Sequence, residues 1–424
     1  MDRNYLLSPI AVGLFGLILF FVIFAFAPIS PKVALNINTI IYFVFNYVMF
    51  FLGCGLLYLV PKKNKPRSKS YKHFSHNEIN KQFNLSLVLA IFGIMLRLID
   101  RFYYRNVSIF QSAMDNRALL AETSGGLISI FGALLYPVCF IVLYLFLKKE
   151  KSLLSVTGCI VLILFFFPTF DSILFGSRSL ILVNIVMFLL ILRGTGNLKI
   201  KTQKVIYLIA LTISLITVSG YMFLARLDEM GLNVLDTIYL SGYAKTVSPS
   251  DWVANELSQG LTVINTMLFS WLNFTQYYTH GFFEFNNFLL ASVNEHSYGA
   301  TQFNIVYKFL EKVLPLPDLD ALLISVNPRL GVFTTFFGPA HMDFGYFSPY
   351  MLFLFGSGAT WVYKKISINE SYYSVLYYMM VIIIFFMPVV NFIQSAQGLY
   401  IIFSVIFFGF IYKVICKLPT VRFR

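Results

Sequence analysis

The chain has 424 residues, 58% hydrophobic and only 12% charged, with a net charge of +13. Soluble domains carry about twice that share of charged residues, so a mean hydropathy of +0.75 excludes a soluble globular protein. Apolar runs of about 20 residues without alternation exclude a β-barrel and read as membrane-crossing helices.

The first run, Ile10 to Ala27, ends in Ala25-Phe26-Ala27, which looks like a signal cleavage box. The run is longer than the usual core of about 7–15 residues and Pro28 follows it directly, so it reads as a retained helix. Further spans are expected over 37–60, 83–99, 126–147, 153–170, 179–193, 205–225, 347–363, 372–392 and 399–416. The expected fold is an all-α polytopic membrane protein with about ten spans, or twelve if two weaker stretches also cross. Those stretches, 261–272 and 282–293, suit interfacial or re-entrant helices. Seven spans form an N-terminal block, 1–225, and three form a C-terminal block, 346–424. Between them lies a polar loop of about 120 residues, 226–345. The four cysteines fall in or beside apolar spans, so no disulfide framework is expected.

Orientation follows from lysine and arginine. With the N-terminus inside, the cytoplasmic segments hold Lys62, Lys63, Lys65, Arg67, Lys69, Lys72 and Lys81, then Lys148, Lys149, Lys151, Lys364 and Lys365. Both termini are then cytoplasmic and the long loop is extracytoplasmic. The positive charge gathers on one membrane face and does not imply nucleic acid. It suits contact with membrane lipid.

The outer side holds arginine where topology disfavours cations: Arg97, Arg101, Arg105, Arg117, Arg178, Arg226 and Arg329. A guanidinium grips phosphate through two bonds and is weakly hydrated, so this bias suggests an anionic ligand. Interfacial snorkelling with local pairing is the competing reading. Arg97, Arg101 and Arg105 share one face of a continuing helix, with Asp100 beside them. Arg178 follows Gly176 in a very short turn between spans, where either an anion or Asp171 can pair with it. Arg226 enters the loop beside Asp228 and Glu229. Arg329 sits between Pro328 and Gly331, and its nearest acids in sequence are Asp320 and Asp343.

Thr334, Thr335, His341 and Asp343 alternate with Phe333, Phe336, Phe337 and Tyr346. Aromatic faces interleaved with hydroxyls and a carboxylate suit sugar. His341 or Asp343 is the expected general base, with Glu256, Glu284 and Glu295 as rivals. His280, His296, His341 and Asp343 have no ligand spacing, so no metal is expected, and no phosphate-binding fingerprint calls for a nucleotide cofactor. Residues 303–314 read as an amphipathic helix ended by Pro315.

The chain resembles the O-antigen polymerases, the Wzy-type oligosaccharide repeat-unit polymerases. The resemblance rests on the order of spans around one late outer loop, on Phe175-Gly176-Ser177-Arg178-Ser179, and on the segment from Arg329 to Gly338 followed by Asp343-Phe344-Gly345. It implies a GT-C-like glycosyltransferase architecture, similar to O-antigen ligases, at the outer face of the bacterial inner membrane. It also implies metal-independent transfer of a glycan from undecaprenyl diphosphate to a lipid-linked repeat unit, with a chain-length co-polymerase as partner. On that reading Arg178 and Arg329, with Arg226, Arg97 and Arg101 near them, hold the diphosphate. His341 or Asp343 acts on the acceptor hydroxyl, and Phe333, Phe336, Phe337, Thr334, Thr335 and Tyr346 position sugars. An O-antigen ligase and a lipid-linked oligosaccharide flippase are the alternatives. A flippase is expected to show internal repeats, which this sequence lacks.

Overall fold

A computed structural model describes residues 7–59, 76–123, 126–149, 152–175, 178–197, 238–239, 242–259, 262–291, 295–311, 313–327, 329, 331–366, 371–395 and 397–417. The described chain is almost entirely helical. Five of its helices are long and apolar enough to cross a membrane: Ile37–Leu59, Asn77–Tyr104, Leu127–Lys148, Val156–Leu174 and Gly398–Ile415. Three shorter apolar helices, Pro9–Ala25, Ser179–Gly194 and Ser371–Phe386, accompany them. The chain is a polytopic membrane protein.

The expected spans correspond to helices, most ends agreeing within four residues, while the span expected from 83 begins at His76 and the span expected to 392 ends at Phe386. They are α1 (Pro9–Ala25), α2 (Ile37–Leu59), α3 (His76–Leu98), α5 and α6 (Leu127–Leu135 and Cys139–Lys148), α7 (Val156–Leu174), α8 (Arg178–Gly194), α14 (Ser348–Ile366), α15 (Ser371–Phe386) and α16 (Gly398–Lys417). The span 205–225 lies outside the described residues. The span at 126–147 is divided by a 3₁₀ turn at Tyr136–Val138, because Pro137 cannot donate to the helical ladder. The remaining helices are short: α4 (Ala113–Glu122), α9 (Asp251–Ser258), α11 (Asn304–Glu311), α12 (Leu319–Val326) and α13 (Phe337–Phe344). The exception is α10 (Val263–Leu290), with 28 residues.

This long helix corrects the expectation of two separate apolar stretches. At about 1.5 Å per residue it runs about 42 Å. Its polar middle stays helical because the hydroxyls satisfy themselves. Thr275 Oγ1 donates to Trp271 O and Thr279 Oγ1 to Thr275 O, at 2.9 and 2.7 Å. Thr262 caps the start, accepting from Asn265 N.

Contacts divide the chain into two compact units. The first comprises residues 1–53, 200–356 and 384–391, the second 54–199, 357–383 and 392–424. In the first unit, Ile29–Pro31 (β1) pairs antiparallel with Val247–Pro249 (β2), Ile29 opposite Pro249. An aromatic core joins α1, α2, α10 and α13: the Phe43 ring lies 4.9 Å from Phe282 and 5.1 Å from Phe337. The outward faces of α1 and α2 are equally apolar, with Phe15 61% and Ile41 59% exposed. Such faces suit hydrocarbon rather than water. In the second unit α6 is apolar on every side and buried throughout, from Cys139 to Leu147. A helix without a polar face belongs at the centre of its bundle.

Two glycines fix close approaches in the first unit. A Cβ on Gly16 would strike the carbonyl oxygen of Phe385, and one on Gly53 that of Phe353. Gly16→Val and Gly53→Val are each expected to lose about 1–3 kcal/mol by overpacking. Gly55→Val is the control, since nothing lies within 4 Å of its added carbon. Thermal unfolding in detergent checks the contrast.

Candidate active site

In the first unit the chemistry gathers along α10. His280, Glu284 and Phe288 are four residues apart and therefore share one face at steps of about 6 Å. Glu284 is buried and receives Arg329 Nη1 at 2.5 Å and Thr246 Oγ1 at 2.9 Å. Arg329 Nη2 also donates to Gly242 O at 2.8 Å. The partner of Arg329 is thus neither Asp320 nor Asp343, the nearest acids in sequence, but a carboxylate 45 residues upstream. Its side chain remains 25% exposed. Two of its five N–H groups are engaged in these bonds, so a pinned guanidinium still presents donors outward.

One turn before Glu284, His280 is 1% exposed. Its Nδ1 lies 2.8 Å from Tyr277 O and 3.1 Å from Gln276 O. Carbonyls only accept, so the ring proton sits on Nδ1 and Nε2 carries the lone pair. Burial pulls its pKa down to about 4, with Arg329 adding to the effect and the two backbone bonds opposing it.

One turn beyond Glu284, Phe288 meets the His341 ring edge-on at 5.7 Å. Tyr42, Tyr346 and His296 complete an aromatic ring of neighbours at 5.3, 5.2 and 6.3 Å. The Tyr42 hydroxyl lies 2.9 Å from His341 Nδ1, 3.0 Å from Gly345 O, which can only accept, and 2.6 Å from Ser348 Oγ. With the hydroxyl proton on Gly345 O, Nδ1–H donates to Tyr42 and Nε2 carries the lone pair. Burial, helped by His296, holds this imidazole near about 4 as well.

Asp343 is fully buried and behaves differently from the expected base. Its carboxylate accepts from Ser297 Oγ at 2.6 Å, Thr301 N at 2.8 Å and Gln302 N at 3.0 Å. It ties residues 297–302 to α13, and both oxygens are used. Burial pushes its pKa up while those bonds oppose the rise. Gly345, at φ +53°, closes the same corner; a Cβ there would meet His296 Nε2 at 2.5 Å. Of the rival carboxylates, Glu256 and Glu295 are exposed and only Glu284 is buried near a cation.

The expected sugar-facing aromatics divide. Phe336 and Phe337 are core residues, 2% and 0% exposed, and Thr335 is fully buried. The alternation broke down because α13 begins at Phe337 and turns these side chains inward. Phe333 and Thr334 remain half-buried, with Phe333 6.5 Å from the His280 ring. Tyr346 is 78% exposed.

Arg97, Arg101, Arg105, Arg117 and Arg178 belong to the second unit. After α3 the helix widens into a π-turn, Ile99–Tyr104. Arg97 Nη2 and Arg101 Nε both bond Asp171, at 3.1 and 3.3 Å, and all three are buried. Asp171 thus pairs with two arginines of another helix. The widened turn sends Arg105 elsewhere, to Asp100 at 3.2 Å and to the carbonyls of Leu120 and Thr123. Arg117 donates to Phe175 O at 2.6 Å. Arg178 is the first residue of α8. Arg226 lies outside the described residues.

Sequence reasoning named Glu284 only as a rival base and His280 only as a weak metal candidate. It missed Tyr42 and Thr246. The four-residue spacing of His280 and Glu284 was a signal, but it was hidden by treating residues 273–281 as a break between helices.

Two measurements follow. An unfolded imidazole titrates near about 6.5, above the native value of either histidine. The unfolded chain therefore binds more protons below that pH, and native stability falls as pH drops from about 6.5 towards about 4. Thermal unfolding in detergent should show this loss, and His280→Phe/His341→Phe should flatten it. Asp171→Asn leaves two buried guanidiniums without their counter-charge and should cost about 3–5 kcal/mol, read by the same assay.

The family model of O-antigen polysaccharide polymerase Wzy matches residues 10–248. The match covers more than half of the chain, from α1 into β2. No curated protein and no solved structure matches it. With that extent of agreement on a multi-helix membrane chain, the chain belongs to the O-antigen polysaccharide polymerase Wzy family.

Proposed function

We propose that this protein joins undecaprenyl-diphosphate-linked oligosaccharide repeat units into O-antigen at the periplasmic face of the inner membrane. It does so as a hexosyltransferase-type enzyme of GT-C-like architecture with about ten spans, both termini in the cytoplasm, and a chain-length co-polymerase as partner. The observation that carries this reading is Arg329, pinned by Glu284 and Gly242 yet partly exposed, with His280 one helical turn before Glu284 and His341 of α13 packed against Phe288 one turn beyond it. A diphosphate needs fixed, forked donors, and an acceptor hydroxyl needs a neutral base. Arg329 supplies the first from its anchor on Glu284, and His341 supplies the second beside Phe288.

In the proposed step the acceptor hydroxyl oxygen forms a bond to the anomeric carbon of the donor glycan. The bond from that carbon to the diphosphate oxygen breaks, and its electron pair leaves with the diphosphate. Arg329 neutralises the charge developing on the leaving group. The hydroxyl proton passes to Nε2 of His341, whose Nδ1–H stays on Tyr42. Asp343 keeps His341 in place through the 297–302 turn. Phe333, Thr334 and Tyr346 are the sugar contacts retained in this proposal, since Phe336, Phe337 and Thr335 are buried. Arg97 and Arg101 are committed to Asp171 and are assigned to holding the second unit together. Arg178 and Arg226 enter as further diphosphate contacts.

The test is deletion of the gene, followed by gel analysis of surface polysaccharide on complementation. Loss of the ladder with one repeat unit still attached to the lipid core supports polymerisation. Loss of the single unit as well points to ligation or flipping and overturns the reading. Arg329→Ala should reduce polymer formation by about 10²–10³, and Arg329→Lys should not restore it if forked binding matters. His341→Gln should reduce it by about 10²–10⁴. A normal ladder from both Arg329→Ala and His341→Gln would sink the mechanism while leaving the function. Arg178→Ala and Arg226→Ala are assayed alongside.

A further inference from the structure

His280 is not used by the mechanism above, and its surroundings are unusual. It is buried within α10, its tautomer is set by two backbone carbonyls, and among the described residues Nε2 has no donor and no solvent. Buried acceptors are nearly always satisfied, so an orphan one suggests a ligand donor. Three aromatic rings surround it: Tyr243 at 4.2 Å, Tyr277 at 5.8 Å and Phe333 at 6.5 Å. Tyr277 is 36% exposed, and Tyr243 and Phe333 are half-buried, so the cluster reaches the surface. Arg329, one turn away on Glu284, excludes a cationic occupant. The lone pair on Nε2 excludes an anion bonded to that atom. What fits is a neutral donor carried on a flat C–H face, beside the phosphate-binding guanidinium.

We infer that His280 is a specificity residue of a sugar subsite: Nε2 accepts a hydrogen bond from a hydroxyl of a pyranose packed against Tyr243, Tyr277 and Phe333. The inference rests on the polymerase reading for the source of the sugar, a residue of the lipid-linked glycan next to the diphosphate. Because Nε2 is closed to solvent, the nearest ring, Tyr243 of the one-turn segment Gly242–Lys245, shifts to admit the sugar and then packs against it. The same segment supplies the carbonyl that holds Arg329, so filling this subsite and presenting the guanidinium are mechanically linked.

The test uses the full-length protein in detergent and two probes prepared from a host lacking this gene. One is its lipid-linked repeat unit; the other is the free oligosaccharide released from it. His280→Phe keeps the ring shape and removes the acceptor. His280→Gln keeps a carbonyl oxygen near the position of Nε2. His280→Phe is expected to weaken oligosaccharide binding and raise the apparent KM by about tenfold, the worth of one neutral hydrogen bond. The kcat should change much less, and His280→Gln should recover most of the loss. Wild-type kinetics and binding in His280→Phe overturn the proposal. So does equal impairment of both variants accompanied by a lowered Tm, which is the mark of a structural histidine. Wild-type protein that binds the oligosaccharide but never elongates the lipid-linked unit overturns the polymerase reading and leaves the subsite standing.

Discussion

A charge placed inside an apolar chain must bring its counter-charge with it, and in this protein two buried carboxylates organise the arginines around them. Asp171 holds Arg97 and Arg101 in one unit, and Glu284 holds Arg329 in the other. The two arrangements differ in how much of the guanidinium is left over. Around Asp171 both arginines are buried, and Arg97 and Arg101 lie over the rings of Tyr136 and Phe175. Around Glu284 one arginine meets one carboxylate and a quarter of its side chain stays open. An arriving anion at Arg329 therefore finds a donor set already desolvated on one side and accessible on the other. At Asp171 it would have to break a buried ion pair first, which is strongly unfavourable.

The position of Arg329 depends on a helix that carries hydroxyls and amides through its middle. Thr266, Ser270, Thr275 and Thr279 each donate to the carbonyl four residues back, so these hydroxyls of α10 are satisfied within the helix. That self-sufficiency leaves the face of His280, Glu284 and Phe288 available for other work. The helical rise sets His280 one turn before the ion pair and Phe288 one turn beyond it, and Phe288 in turn carries the contact with His341 of α13.

The membrane spans were legible in the sequence because an apolar run of sufficient length has few alternatives in a bilayer. The apolar run from Ile10 to Ala27 and the helix Pro9–Ala25 differ by one residue at the start and two at the end. What was illegible was pairing across distance. Glu284 and Arg329 are separated by 45 residues, Tyr42 and His341 by 299, and nothing in local composition links them. Local pattern was also misleading at Phe336 and Phe337. The same aromatic-and-hydroxyl alternation that suits a sugar surface suits the entry of a helix into an aromatic core, and burial decides between them. Asp343 shows the complementary error: a carboxylate near a histidine looks like a base until its oxygens are found occupied by the backbone of Thr301 and Gln302.

These errors share a cause that bears on how the site works. Sequence proximity groups arginine, base and aromatics in the run from Arg329 to Tyr346. The structure places these residues and their partners on three segments, with 242–246 bonded to Arg329 and Glu284, α10 carrying His280 and Glu284, and α13 carrying His341. A site shared in this way couples its parts. The 3₁₀ turn at Gly242–Lys245 packs Tyr243 beside His280 while Gly242 O accepts from Arg329 and the charge of Lys245 acts on Glu284. On the proposed function the ion pair serves the diphosphate and the aromatic turn beside it serves the sugar, so one short segment carries both contacts.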